Sequence, residues 1–115
     1  MNFGPRIARV REQMDANAVD FVLLSVGADL PYLTGYEAMP LERLTMLVLP
    51  KRGDARLVVA RLEAPRVEPQ PDFEVVAWDE PGDPIAMVAG MIGTASRVAV
   101  GDQTWAGFVL DLQRA

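Results

Sequence analysis

The sequence predicts one α/β domain over residues 1–115, a mixed β-sheet with helices against its faces. Three observations predict it. Half of the 115 residues are apolar, enough to bury one core. Short apolar runs of strand length alternate with segments of helical period. Two of those runs are joined by a Gly-containing turn, which favours an antiparallel hairpin, whereas the second half alternates strand and helix, which favours parallel pairing.

From Pro5 to about Asn17, Ile7, Val10 and Met14 recur at helical spacing, with Arg6, Arg9, Glu12 and Gln13 on the other face. Pro5 suits the first helical turn, and Asn17 is expected as a left-handed stop. Val19-Asp20-Phe21-Val22-Leu23-Leu24 then reads as a buried strand. Gly27 to Pro31 breaks that pattern, and Asp29 is placed to cap one short turn carrying Tyr32 and Leu33 before Gly35 ends it.

After a loop, Arg43 to Leu49 is strand-like, Pro50 to Asp54 is a turn, and Arg56 to Ala60 is the returning strand. Pro65, Pro69 and Pro71 disfavour a long helix between Glu63 and Asp72 and predict an exposed connection. Phe73 to Trp78 returns to strand character. Asp83-Pro84 reads as an N-cap with proline at the first helical position, and Ile85, Val88 and Ile92 continue one apolar face to Gly93. Arg97 to Val100 is the last strand, followed by a helix with Trp105, Phe108, Val109 and Leu112 at i, i+3, i+4 and i+7. The residues thus give about five strands.

Composition excludes several function classes. The net charge of −5 and scattered arginines argue against a nucleic-acid footprint, and Lys51-Arg52 is the only adjacent basic pair. No apolar run approaches the roughly 18–20 residues of a spanning helix, and the N-terminus lacks a signal-peptide layout, so a cytoplasmic setting is expected. Cysteine and histidine are both absent. That removes disulfides, thiolate and imidazole metal ligands, and Ser-His-Asp or Cys-His nucleophilic sets. No catalytic residue and no metal ligand is therefore assigned.

Four constellations could still carry function. Asp79, Glu80 and Asp83 could bind a hard cation, but negative charge at a helix start is the simpler explanation. Gly101-Asp102 lies where phosphate-binding turns occur, yet one glycine is not a fingerprint, and Asp102 reads as a helix cap. Trp105 and Phe108 could stack on a ligand, although their spacing favours core packing; Trp78, between strand and polar turn, suits a core margin or an interface. The fourth is Tyr32-Leu33-Thr34-Gly35-Tyr36-Glu37 with Glu42-Arg43, more aromatic and charged than a connection needs.

The same residues carry a resemblance. An amphipathic first helix, Val19 to Leu24, Asp29-Leu-Pro-Tyr-Leu-Thr-Gly-Tyr36, Glu42-Arg43 entering Leu47-Val-Leu-Pro50, and Val98-Ala-Val-Gly-Asp102 with Trp105 together resemble the N-terminal domain of the creatinase, prolidase and aminopeptidase P family. The resemblance implies an α/β fold with a mixed five- to six-stranded sheet flanked by helices, ribonuclease H-like. It implies a non-catalytic domain of a metal-dependent Xaa-Pro peptidase, of aminopeptidase P or prolidase type. Two divalent metals, manganese or cobalt, would then be held by a separate catalytic domain, none by this chain.

The resemblance further implies a homodimer, proline-containing peptide substrates, and a role for this domain in dimerisation and substrate access. Tyr36, Glu37 and Arg43 are the residues it points to for cross-subunit contact, with Tyr32 packed inside. Two other readings stay open: the N-terminal domain of a creatinase-like amidinohydrolase, and a standalone ligand- or protein-binding module using the Tyr32 to Arg43 loop.

Overall fold

The computed structural model describes residues 2–39, 43–95 and 97–115. In chain order the elements are α1 (Gly4–Ala16), β1 (Phe21–Leu24), α2 (Asp29–Thr34), β2 (Met46–Pro50), β3 (Ala55–Ala60), β4 (Phe73–Trp78), α3 (Pro84–Ile92), β5 (Val98–Val100) and α4 (Ala106–Arg114), with one 3-10 turn at Ala64–Arg66. The strands form a mixed five-stranded sheet in the order β4-β3-β2-β1-β5. β2 pairs antiparallel with both β1 and β3, while β3 and β4, and β1 and β5, pair parallel.

The central strand shows why its sequence is continuously apolar. Leu47 and Leu49 belong to one core with Ile7 and Met14 of α1 and Leu30 and Leu33 of α2; Met46 and Val48 belong to the other, with Val88 of α3 and Trp78. Alternate side chains of a strand point to opposite faces, so a strand covered on both faces needs apolar residues at every position. Phe108 and Leu112 of α4 pack against the second core without being buried, and α4 contributes no buried residue.

Helix starts and stops depart from expectation in three places, the first being α2, where Asp29 is the first helical residue and the N-cap is Ala28 with no side-chain cap hydrogen bond. The left-handed residue after α1 is Ala18, with φ 55°, rather than Asn17, whose side-chain amide instead donates to the Gln13 carbonyl. At α4 the N-cap is Trp105, and Asp102 sits in the preceding turn, closed by the Thr104 N–H donating to the Gly101 carbonyl. Asp102 is therefore not the cap. Trp105 is 46% exposed and lies parallel on Phe108 at 5.7 Å between ring centroids, so it is no core residue despite its helical spacing. By contrast Asp83 caps α3 as the sequence predicts, accepting from the Ala86 N–H at 3.1 Å.

Candidate functional site

The Thr34-Gly35-Tyr36 signature is a chain-turning device. The Thr34 hydroxyl donates to the Leu30 carbonyl and accepts from the Tyr36 N–H, closing α2 inside the protein where its polar groups need partners. Gly35 follows with φ 75°, and a Cβ there would lie 2.7 Å from Cζ of Phe3. Both the left-handed backbone and the approach of the Phe3 ring require glycine. The chain then delivers Tyr36 into the core, 8% exposed, with its hydroxyl 3.3 Å from Oε2 of Glu63.

The other end of the loop is fixed independently. Arg43 donates through Nε to Oε1 of Glu80. Leu44 and Thr45, expected as the start of a strand, use their carbonyls on side chains instead: Leu44 accepts from the Trp78 indole and Thr45 from the Ser25 hydroxyl, each at 3.0 Å. β2 accordingly begins at Met46.

These contacts gather at one place, the carboxyl ends of the parallel strands β3 and β4. Arg61, next after β3, forms a two-pronged pair with Asp79, next after β4, at 2.9 and 3.0 Å. Glu63 takes both the Tyr36 hydroxyl and, at 3.4 Å, Arg66. The hydrogen bond from Arg61 holds the Asp79 carboxyl below the usual carboxylate range. Burial pushes the Tyr36 phenol up, and the neighbouring Glu63 charge adds to that. Around this rim the apolar side chains of Met39 and Leu62 are exposed.

The structure thus sorts the residues singled out from sequence. Tyr36 is buried and anchors the loop; Glu37 and Arg43 are exposed, and Arg43 is tied to Glu80. Glu42 lies outside the described residues. Tyr32, expected inside, is 48% exposed, because α2 turns its Leu30 and Leu33 face to the core instead. Asp79 and Glu80, grouped with Asp83 as helix-start charges, are pairing partners of two arginines. Glu63 and Glu80 were missed as loop anchors, since neither carries a local signal and each contact spans 27 or 37 residues of sequence.

Chemically, this rim is suited to holding a loop and offering a surface. Its carboxylates at Glu63, Asp79 and Glu80 each face an arginine. Among the described residues no group of three or more His, Cys, Asp or Glu could hold a metal ion. The residues present do not fit a dinuclear metal centre, and no hydrolytic step is assigned to them.

Residues 6–114 match the family described as the Creatinase/Prolidase N-terminal domain. The chain belongs to this family. It is similar to dipeptidase PepE from Mycobacterium ulcerans, at 31% identity and a TM-score of 0.83, over 98% of this chain and 32% of that one. Prolidase from Thermococcus sibiricus matches at 25% identity and a TM-score of 0.86, over 99% of this chain and 32% of that one. An isolated Creatinase/Prolidase N-terminal domain from a Streptococcus pyogenes X-Pro dipeptidase has the same fold, with a TM-score of 0.85 at 20% identity, over 96% of this chain and 87% of that one. In sequence, the probable dipeptidase PepE of Mycobacterium tuberculosis is 36% identical over 78 residues, 64% of this chain. The match spans 21% of that relative's length, so the chain corresponds to the N-terminal domain of much longer peptidases.

Proposed function

We propose that this chain serves as the non-catalytic N-terminal domain of a metal-dependent Xaa-Pro peptidase of dipeptidase or aminopeptidase P type, acting in the cytoplasm. The observation that carries this reading is the likeness to dipeptidase PepE across nearly the whole chain at 31% identity, together with its restriction to 32% of that protein. A partner catalytic domain would hold two divalent metals, manganese or cobalt, and this domain would contribute to a homodimer and to substrate access.

Within that reading the loop from Tyr36 to Arg43 is the working element. Its ends are held by Tyr36 on Glu63 and Arg43 on Glu80, leaving Glu37 and Met39 projecting outward. Anchoring beside Tyr36 and at Arg43 lowers the ordering cost of a further contact by Glu37 and Arg43. Glu37 and Arg43 would meet the neighbouring subunit near its catalytic cleft and limit it to short peptides with proline second.

The test has two parts. The 115-residue chain with Mn²⁺ is expected to show no turnover of an Xaa-Pro dipeptide, and turnover by the pure chain would overturn the reading. In a longer polypeptide carrying this domain, Glu37→Ala and Arg43→Ala are expected to raise KM or change the accepted peptide length while sparing metal content. Unchanged KM and length preference in both variants would remove the loop from substrate access.

A further inference from the structure

The parallel strands β1 and β5 lie side by side, so the connections leaving their carboxyl ends start together. The chain after β1 enters α2, whose Leu30 and Leu33 join the core of Leu47 and Leu49. The chain after β5 enters α4, whose Phe108 and Leu112 pack against the core of Met46 and Val48. The two helices thus sit on opposite faces of the sheet. One side chain bridges their connections: Oε1 of Gln103, in the turn before α4, accepts from the Ala28 N–H at 3.0 Å across 75 residues of sequence.

Three features separate this contact from an incidental surface bond. First, Ala28 is the N-cap of α2, and in a capping box the N-cap N–H is taken by a Glu or Gln at the third helical position. Here that position is Pro31, and Gln103 takes the N–H from afar. Second, Gly27 is packed against the Gln103 side chain, since a Cβ there would lie 3.0 Å from its Cδ and 3.1 Å from its Cβ. Third, the two sides of the contact are held unequally. Leu30, Leu33 and Thr34 of α2 are buried, whereas α4 has no buried residue. In the turn before α4, the buried Thr104 hydroxyl has no hydrogen-bond partner among the described residues, which makes the closed turn costly. The turn and α4 are therefore the side that opens first.

We propose that Gln103 is a latch that ties α4 to α2 and, through α2, to the start of the Tyr36 to Arg43 loop. α2 is only six residues long, and the hydroxyl of its last residue, Thr34, accepts from the Tyr36 N–H. Ala28 at one end and Tyr36 at the other thus belong to one short piece. Opening of the turn before α4 removes the acceptor from Ala28 and loosens that piece; holding α4 down tightens it. One neutral hydrogen bond changes such an opening equilibrium about twofold to tenfold. The bearing of the latch on substrate access rests on the reading above. The coupling of α4 to α2 rests on the contact alone.

The experiment is amide hydrogen exchange on the ¹⁵N-labelled 115-residue chain, followed by NMR, where exchange rates report local opening. In Gln103→Ala, the amides of Ala28, Gly35 and Tyr36 should exchange about twofold to tenfold faster, together with those of α4, while Leu57 and Val58 of β3 keep their rates. Gln103→Glu keeps an acceptor for the Ala28 N–H and should stay within about twofold of the parent. Both variants should melt close to the parent, since Gln103 is exposed. The converse arm uses Gly107→Ala, which stiffens α4 and meets no atom within 4 Å. It should slow exchange at Tyr36 in the parent and leave Tyr36 unaffected once Gln103 is alanine. Unchanged rates at Gly35 and Tyr36 in Gln103→Ala, an equal acceleration in Gln103→Glu, or the same slowing by Gly107→Ala in both backgrounds would each overturn the latch. None of these readouts involves peptide turnover, so the latch and the peptidase reading can fail separately.

Discussion

The indole Nε1 of Trp78 donates to the carbonyl of Leu44 at 3.0 Å across 34 residues of sequence, and both residues are buried. The bond joins the end of β4 to the segment entering β2. Trp78 also fills the second core beside Met46 and Val48. A residue that from sequence suited either a core margin or an interface is thus a core residue whose one polar atom is satisfied inside the fold.

Trp78→Phe keeps an aromatic ring but leaves the Leu44 carbonyl without that donor. A buried acceptor left unmatched costs about 1–3 kcal/mol, in addition to the smaller ring's packing loss. Urea denaturation followed by circular dichroism should show that loss, with an unchanged slope against denaturant. A stability equal to the parent would show that water replaces the indole.

Leu57 on β3 is fully buried in the core under α1 and α2. Leu57→Ala is expected to cost about 2–5 kcal/mol through lost transfer energy and an unfilled cavity. The exposed Leu110→Ala change on α4 should stay within about 0.5 kcal/mol. Comparing their urea midpoints checks both figures.

Two glycines should respond with opposite sign. Gly35 has φ 75° and no room beside Phe3, so Gly35→Ala should destabilise by more than about 1 kcal/mol. Gly90 lies inside α3 with no atom within 4 Å of an added Cβ, so Gly90→Ala should stabilise by about 0.5–1 kcal/mol. Thermal unfolding of the pair resolves the sign.

The buried Tyr36 phenol has its pKa raised in the folded protein, by burial first and by Glu63 second. Above about pH 10 the unfolded chain ionises this group before the folded chain does, so the native state binds more protons there. The Tyr36 contribution is present below the unfolded pKa and is lost as pH rises through the folded one. Tyr32 carries the opposite sign, its phenol being lowered by the hydrogen bond from Arg9. In a Tyr32→Phe background, urea midpoints measured from pH 8 to 11 should fall at the alkaline end, and Tyr36→Phe should flatten that fall. An equal alkaline fall in both proteins would remove Tyr36 as its source.

Much of the fold was legible in the residues because periodicity is local. The apolar run at Leu47 to Leu49, the hairpin through Gly53 and the Asp83 cap each depend on neighbours within a few positions, and each appears where expected. The candidate site was half legible. Tyr36 and Arg43 drew notice by composition, but Glu63 and Glu80, which hold them, became visible only once β3 and β4 lay parallel.

By itself the sequence determined the order of helices and strands and, through the absence of histidine and cysteine, the exclusion of nucleophilic triads and imidazole or thiolate metal sites. Tertiary structure decided the strand order, with β5 at one edge beside β1 and β4 at the other. It also decided which of two nearby tyrosines is inside. Helical and turn propensities place Tyr32 and Tyr36 four residues apart with similar composition around them. Only the packing of Leu30 and Leu33 against the sheet, and of Phe3 against Gly35, rotates Tyr32 outward to Arg6 and sends Tyr36 into the core. Burial depends on contacts between distant segments, and local pattern holds no record of those.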